Sequence, residues 1–156
     1  MLLSNQAGMH LIGFLCGPDR PLTNTPPNVL HMMFDPNLLR PYIVDRESVA
    51  RVALHRAYRE ALMSPHDQDA FAVVDALCAY EGVPSDWRNP IHPQADAPVL
   101  TVTFEKDGQR SSWFSTIATI GTAQDVTLQE FRIESFFPAD EETEAFARRL
   151  AAAAAN

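Results

Sequence analysis

Five histidines and two cysteines are the side chains of this sequence best suited to bind a transition metal. No histidine forms an H-x-x-x-H pair and none adjoins a cysteine, although metal sites built on one helix or loop use such short spacings. The residues concerned are His10, His31, His55, His66, His92, Cys16 and Cys78. The pattern predicts histidines of the surface or core, and no bound metal.

Motifs for covalent or acid–base catalysis are also missing. Ser111, Ser112 and Ser115 stand outside any G-x-S-x-G motif and have no obvious His and Asp partners. The spacing of Glu130 and Glu134 allows an acid–base pair on one strand face, but solvated charges are the commoner outcome of this pattern. None of the six glycines forms a phosphate-binding loop. The sequence therefore predicts no catalytic residues, no cofactor and no enzyme.

Apolar and aromatic side chains remain as the residues that could hold a ligand. A one-sided antiparallel sheet covered by helices can enclose a pocket, and adaptable methionines such as Met32 and Met33 suit a variable apolar guest. The alternative is that the same side chains fill an ordinary core. We expect the following residues to line or border the ligand space: Leu30, Met33, Phe34, Phe71, Phe114, Ile117, Phe131 and Ile133.

Four helices are predicted in the first half of the chain, where apolar residues recur at helical spacing behind good N-caps. The predicted spans are 5–14, 28–34, 45–63 and 67–80. These helices would cover one side of whatever sheet follows.

The period of the apolar residues then changes from helical to alternating. Three strands are predicted at 98–105, 111–120 and 128–136, and Asp107-Gly108 marks a hairpin turn between the first two. In the third strand, Phe131 and Ile133 share the face expected to meet the core. Asp140 caps a closing helix. The predicted fold class is α+β, an antiparallel three-stranded meander covered by N-terminal helices and closed by a C-terminal helix.

Length and charge limit the function classes. The 156 residues suffice for one domain with a core, and 20 acidic against 12 basic residues give a net charge of −8, which disfavours DNA binding by this chain. Cys16 and Cys78 form no CxxC pair, which indicates reduced thiols in a cytoplasmic protein. The apolar run of residues 9–16 has no preceding Lys or Arg, and no stretch is long enough to span a membrane.

The segment FSTIATIGTAQDVTLQEFRIESFFPADEET, residues 114–143, resembles the MmyB-like transcription-regulator ligand-binding domain. The upstream segments NVLHMMFDP (28–36), LRPYI (39–43) and VAR (49–51) resemble blocks of that family in the same order. LSNQA (3–7) also resembles the end of the family's first pair of strands. The resemblance spans essentially the whole chain.

The resemblance implies a PAS-like sensor domain that follows an N-terminal helix-turn-helix module. Residues 1–156 would be a single such domain, shortened at its N-terminus, because neither the DNA-binding helices nor the opening strand of the sensor sheet is found in the sequence. DNA would then be a partner only through the absent module. A strand left without its neighbour exposes backbone groups. We therefore expect the chain to form a homodimer through that edge, to cover the edge with its own N-terminal residues, or to be marginally stable and prone to aggregation.

The sequence is compatible with three alternative functions. The first is a sensor domain that binds a small apolar ligand, for which a fatty-acid-like molecule is one candidate. The second is a protein-interaction or dimerisation domain with a solid core, and the third is a small enzyme on a related scaffold. An internal cavity favours the first, and a cleft with converging titratable groups favours the third.

Overall fold

The computed structural model describes residues 5–17, 28–63, 68–89, 101–119 and 132–153. Within these ranges lie five α-helices and one 3₁₀ helix, and their bounds are α1 (Gln6–Cys16), α2 (Val29–Phe34), the 3₁₀ helix (Arg40–Tyr42), α3 (Arg46–Met63), α4 (Gln68–Cys78) and α5 (Glu141–Ala153). The four predicted N-terminal helices and the closing helix are confirmed. The predicted ends of the four N-terminal helices differ from the observed ends by no more than about two residues, which is the usual uncertainty of a helix boundary. In the same ranges, no helix combines the length and the hydrophobicity needed to cross a bilayer.

Side-chain caps start these helices where the sequence predicts. Asn5 Oδ1 accepts a hydrogen bond from the backbone N–H of Gly8 at 2.8 Å, and Asn28 Oδ1 accepts one from Leu30 at 2.9 Å. The carboxylate of Asp45 accepts from the Ser48 N–H at 3.3 Å. Each cap satisfies a backbone donor that the first turn of a helix leaves without an intrahelical partner.

The three strands form an antiparallel meander, as predicted. Their bounds are β1 (Thr101–Lys106), β2 (Gln109–Thr119) and β3 (Arg132–Pro138), and β2 lies between the other two. Asp107 (φ 51°) and Gly108 (φ 76°) form the two-residue turn between β1 and β2, with the positive φ angles of a type I′ hairpin. The parts of the predicted strands at 98–100, 120 and 128–131 lie outside the described residues.

The first core cluster lies between the sheet, α1 and α5. Phe104 and Trp113 from the sheet pack with Leu15 of α1 and Phe146 of α5, and each is at most 7% exposed. The Phe146 ring also meets the Phe14 ring edge-on, with centroids 5.2 Å apart. Both terminal helices are thus fixed on the same face of the sheet.

The second core cluster joins the helices. Phe34 of α2, Leu54 of α3 and Leu77 of α4 pack together with Trp87 from the turn after α4. The Arg88 guanidinium lies 4.5 Å from the centroid of the Trp87 ring, a distance at which a cation is attracted to the ring face. This cluster keeps the three helices together independently of the sheet.

The far end of the sheet is exposed, which corrects one expectation from the sequence. Ile133 was expected to face the core, but it is 54% exposed and lies on the face opposite Trp113. Its partner on β2 is Ala118, so Ile133 shares a face with Phe114 and Phe137, whereas α1 and α5 pack on the other face, which carries Trp113. Alternation of apolar and charged residues predicts which side chains share a face, but not which of the two faces the helices cover.

The start of α5 predicts a pH-dependent contribution to stability. Asp140 Oδ1 accepts from the Thr143 N–H at 2.7 Å, and hydrogen bonds from Thr143 hold the pKa of the Asp140 carboxyl below its ordinary value. Because the folded pKa is lowered, this contribution is complete above the ordinary pKa and is lost as the pH falls through the folded one. Wild-type stability should therefore decline more steeply than that of Asp140→Asn between about pH 5 and pH 2, measured by urea unfolding. Identical pH profiles would contradict the assignment.

Candidate functional site

A pocket lies where α2, the 3₁₀ helix, α3 and residues 82–83 meet. Its volume is about 30 Å³, space for about two water molecules. Two arginines, Arg40 and Arg46, line it together with Gly82. The other lining residues are apolar: Met33, Phe34, Ile43, Val49, Ala50 and Val83.

The chain from α2 to α3 folds back on itself to build this pocket. The backbone N–H of Leu39 donates to Met32 O at 3.0 Å, which brings the 3₁₀ helix against α2. Ile43 then pairs with Phe104 of β1 in an isolated antiparallel bridge, and Val44 N–H donates to Thr103 O at 2.9 Å. These bonds anchor the pocket wall to the sheet before α3 begins.

Gly82 allows the Arg40 side chain to approach the backbone closely. Gly82 has a φ of 74°, a left-handed conformation that glycine adopts without steric cost. A Cβ atom at this position would lie 2.5 Å from Nη2 of Arg40. The guanidinium of Arg40 therefore packs on the glycine backbone at one side of the pocket.

Arg46 is fixed by backbone carbonyls. Its Nε donates to Ile43 O at 3.2 Å and its Nη2 donates to Pro41 O at 2.9 Å. Both acceptors belong to the chain that leads from the 3₁₀ helix into α3, so the guanidinium is held beside the pocket. The site thus combines a small apolar cavity with two positively charged groups.

Burial is the main influence on two titratable groups in and just after α4. Burial raises the pKa of the Cys78 thiol, which disfavours the thiolate that a nucleophilic cysteine requires. Burial also raises the pKa of Tyr80, and the Asp35 carboxylate adds to this shift. The Tyr80 hydroxyl lies 3.4 Å from Nδ1 of His31 at the edge of the second core cluster.

The residues predicted to line the ligand space are separated in the structure. Met33 and Phe34 line the pocket, and Leu30 packs against the second core cluster close to them. Phe71 does not line the pocket, and its ring meets the Tyr58 ring edge-on, with centroids 6.3 Å apart. The helical part of the prediction therefore includes two pocket residues.

The sheet part of the prediction lies elsewhere. Phe114 stacks on Phe137, with centroids 5.5 Å apart, on the same face as Ile133. Ile117 is on the opposite face and is 54% exposed. Phe131 lies outside the described residues. That these side chains border a ligand stays a prediction.

Sequence reasoning missed the two arginines and Gly82. Arg40 lies in the LRPYI segment and Arg46 in the first turn of α3, where neither stands out by spacing. The one available signal was Gly82, because a glycine soon after a helix often has a positive φ and permits close approach. Arg40 and Gly82 are far apart in sequence, so their contact could not be predicted.

No group of three His, Cys, Asp or Glu side chains that could hold a metal ion occurs among the residues described above. Cys16 and Cys78 form no disulfide.

No curated protein and no solved structure matches the chain. The family model of the MmyB-like transcription regulator ligand binding domain matches residues 1–150. Since this match covers nearly the whole sequence, the chain belongs to the MmyB-like transcription regulator ligand binding domain family.

Proposed function

We propose that this chain is a sensor domain that binds a small apolar ligand in the pocket between α2 and α3 and transmits its presence to a DNA-binding module. The supporting observation is the pocket itself, an apolar cavity in a member of a ligand-binding family. The chain would act in the cytoplasm, bind the ligand without transforming it, and contact DNA only through that module.

The pocket lies at the junction of the two core clusters, which suits a sensor. Among the residues that line the pocket, Met33 packs against both clusters. Phe34 is part of the second cluster, and Ile43 and Val49 are part of the first. A ligand here would contact both halves of the core. It would shift a conformational equilibrium only if it binds one arrangement of the two clusters better than another.

The size of the pocket favours a short apolar group. About 30 Å³ is far less than a long acyl chain occupies, so a fatty-acid-like ligand would have to be short, or would require α2 and α3 to separate further. Met33 is a suitable residue for such an adjustment, because its unbranched side chain adopts several shapes at little cost.

Filling the pocket tests this proposal. In Ala50→Met the longer side chain should occupy the cavity, so that a ligand copurifying with the wild-type chain is lost from the variant. Ala57→Met is the matched control, because Ala57 lies on the same helix and borders the second core cluster without lining the pocket. Native mass spectrometry of protein purified from cells gives the readout. Equal retention by both variants would place the ligand elsewhere.

A second candidate function is self-association through β3, which also fits the expected homodimer. Four large apolar side chains near this strand are 43–54% exposed: Ile117, Ile133, Phe136 and Phe137. Among the described strands, only β2 pairs with β3, so its other edge offers backbone groups to a second copy.

A charged side chain on β3 tests the second candidate. Ile133→Lys should convert a dimer to a monomer in light scattering, whereas Leu62→Lys, at a residue 53% exposed on α3, should leave the mass unchanged. A monomeric wild-type chain would contradict dimerisation through β3.

A further inference from the structure

The helix α1 depends on its surroundings for stability. It has 11 residues, includes the glycines Gly8 and Gly13, and contains no Asp, Glu, Lys or Arg. An isolated helix of this length is unstable in water, and glycine within a helix weakens it further. The packing and the hydrogen bonds that hold α1 on the sheet therefore decide whether this helix forms.

The contacts that hold α1 are concentrated at its C-terminal end. Leu15 and Cys16 are buried, whereas Met9 near the start is 48% exposed. The last turn contains no basic residue. Instead, the Lys106 ammonium of β1 donates to Phe14 O at 2.7 Å and to Leu15 O at 2.9 Å. Lys106 thus supplies, from another element, partners for carbonyl groups that the end of a helix leaves without intrahelical donors.

The same ammonium also contacts the wall of the pocket. It lies 5.1 Å from the centroid of the Tyr42 ring, a distance at which a cation is attracted to an aromatic face. Tyr42 is the last residue of the 3₁₀ helix, and it stands in the chain between Arg40 and Ile43, which both line the pocket. A displacement of this wall would therefore move the Tyr42 ring relative to Lys106.

Hydrogen bonds make the segment around Tyr42 move as a unit with the start of α3. The Tyr42 N–H donates to Leu39 O at 3.1 Å. The Arg46 guanidinium donates to Pro41 O at 2.9 Å and to Ile43 O at 3.2 Å. A group that enlarges the pocket is therefore expected to displace this segment and the Tyr42 ring together, relative to α2 on the other side of the pocket.

We propose that the contact between Tyr42 and Lys106 couples the pocket to α1, so that filling the pocket changes how firmly the last turn of α1 is held. This inference rests on the proposed function, because it names how the state of the same pocket is transmitted within the sensor. The ammonium is shared between the Tyr42 ring and the two α1 carbonyls, so a shifted ring alters the hydrogen bonds to α1. Both are positioning residues, and neither lines the pocket.

Filling the pocket with a side chain tests the coupling without a ligand. In Ala50→Met the added atoms should displace the pocket wall, and amide hydrogen exchange of α1 should change by at least about threefold from the wild type. Both proteins are refolded from urea, which removes any copurified ligand. The reference is α5, which packs on the same face of the sheet and should change by less than about 1.5-fold. Ala50→Val is the smaller replacement if methionine prevents folding. Unchanged exchange of α1 in the folded variant would overturn the proposal.

Variants at Tyr42 test the contact itself. Tyr42→Leu removes the ring but keeps Lys106 and its donors, so the response of α1 to Ala50→Met should fall below about 1.5-fold in the double variant. Tyr42→Phe keeps the ring and should keep the response. Tyr58→Leu is the matched control, because Tyr58 packs against the second core cluster without lining the pocket, and it should also keep the response. A full response in the double variant with Tyr42→Leu would show that the signal does not pass through this contact.

The outcomes separate this inference from the proposed function. Equal retention of a copurified ligand by Ala50→Met and Ala57→Met contradicts the proposed function, whatever α1 does. A helix α1 that ignores the filled pocket, or that responds without the Tyr42 ring, contradicts only this inference. In that case, a copurified ligand that is lost from Ala50→Met would still support the pocket as the ligand site.

Discussion

Leu54→Ala is expected to lower the free energy of unfolding by about 2–5 kcal/mol, the range measured for deletion of a fully buried leucine side chain. Leu54 is 0% exposed and packs at the centre of the second core cluster, where α3 meets α2 and α4. The variant loses the transfer free energy of the removed atoms and also leaves a cavity that the helices cannot fully close. Urea unfolding followed by circular dichroism measures the change.

Leu62→Ala provides the control for this prediction. Leu62 lies on the same helix but is 53% exposed, so the same substitution should change the free energy of unfolding by about 0.5 kcal/mol or less. Similar losses for Leu54→Ala and Leu62→Ala would mean that the second core cluster is not packed as the structure has it.

Lys106→Met is expected to destabilise the chain by about 1.5–3 kcal/mol, the usual contribution of hydrogen bonds to a charged group. The Lys106 ammonium donates to Phe14 O at 2.7 Å and Leu15 O at 2.9 Å, and lies 5.1 Å from the centroid of the Tyr42 ring. It thus fixes the last turn of α1 to β1, where a positive charge also interacts favourably with the C-terminal end of the helix dipole. Methionine keeps most of the side-chain volume and removes the donors.

The matched control is Arg110→Met, which removes one positive charge from an exposed position on β2. Its effect should be about 0.5 kcal/mol or less. Hydrogen–deuterium exchange adds a local readout, because α1 should exchange faster in Lys106→Met while α4 stays unchanged. Unchanged protection of α1 would contradict the role of Lys106 as a tether.

The helices and the hairpin could be predicted because their signals are local. Asn5, Asn28 and Asp45 cap helices within three residues, and Asp107-Gly108 supplies the two positive φ angles that a tight hairpin needs. Such signals act over a few residues of chain, so they can be recognised in the sequence without knowledge of the tertiary structure.

The site could be predicted only in part because it depends on contacts between distant segments. Met33 and Phe34 were found from their apolar character, but the contact between Arg40 and Gly82 joins residues separated by a long stretch of chain. Alternation also shows that Phe114 and Ile117 face opposite sides of β2, and the register with β3 then decides which of their neighbours are covered. The exposure of Ile133 follows from which face of the sheet α1 and α5 cover, and no local pattern in the sequence gives that face.

The central claim is that a small ligand occupies the pocket at the junction of the two core clusters, and methionine-methyl NMR tests it most directly. The chain would be labelled at its methionine methyl groups and observed before and after removal of the copurified ligand by unfolding and refolding. Met33 lines the pocket, whereas Met63 is 85% exposed at the end of α3. The account predicts that the Met33 resonance shifts on ligand removal and that the Met63 resonance does not. A Met33 resonance that is identical with and without the copurified ligand would contradict it.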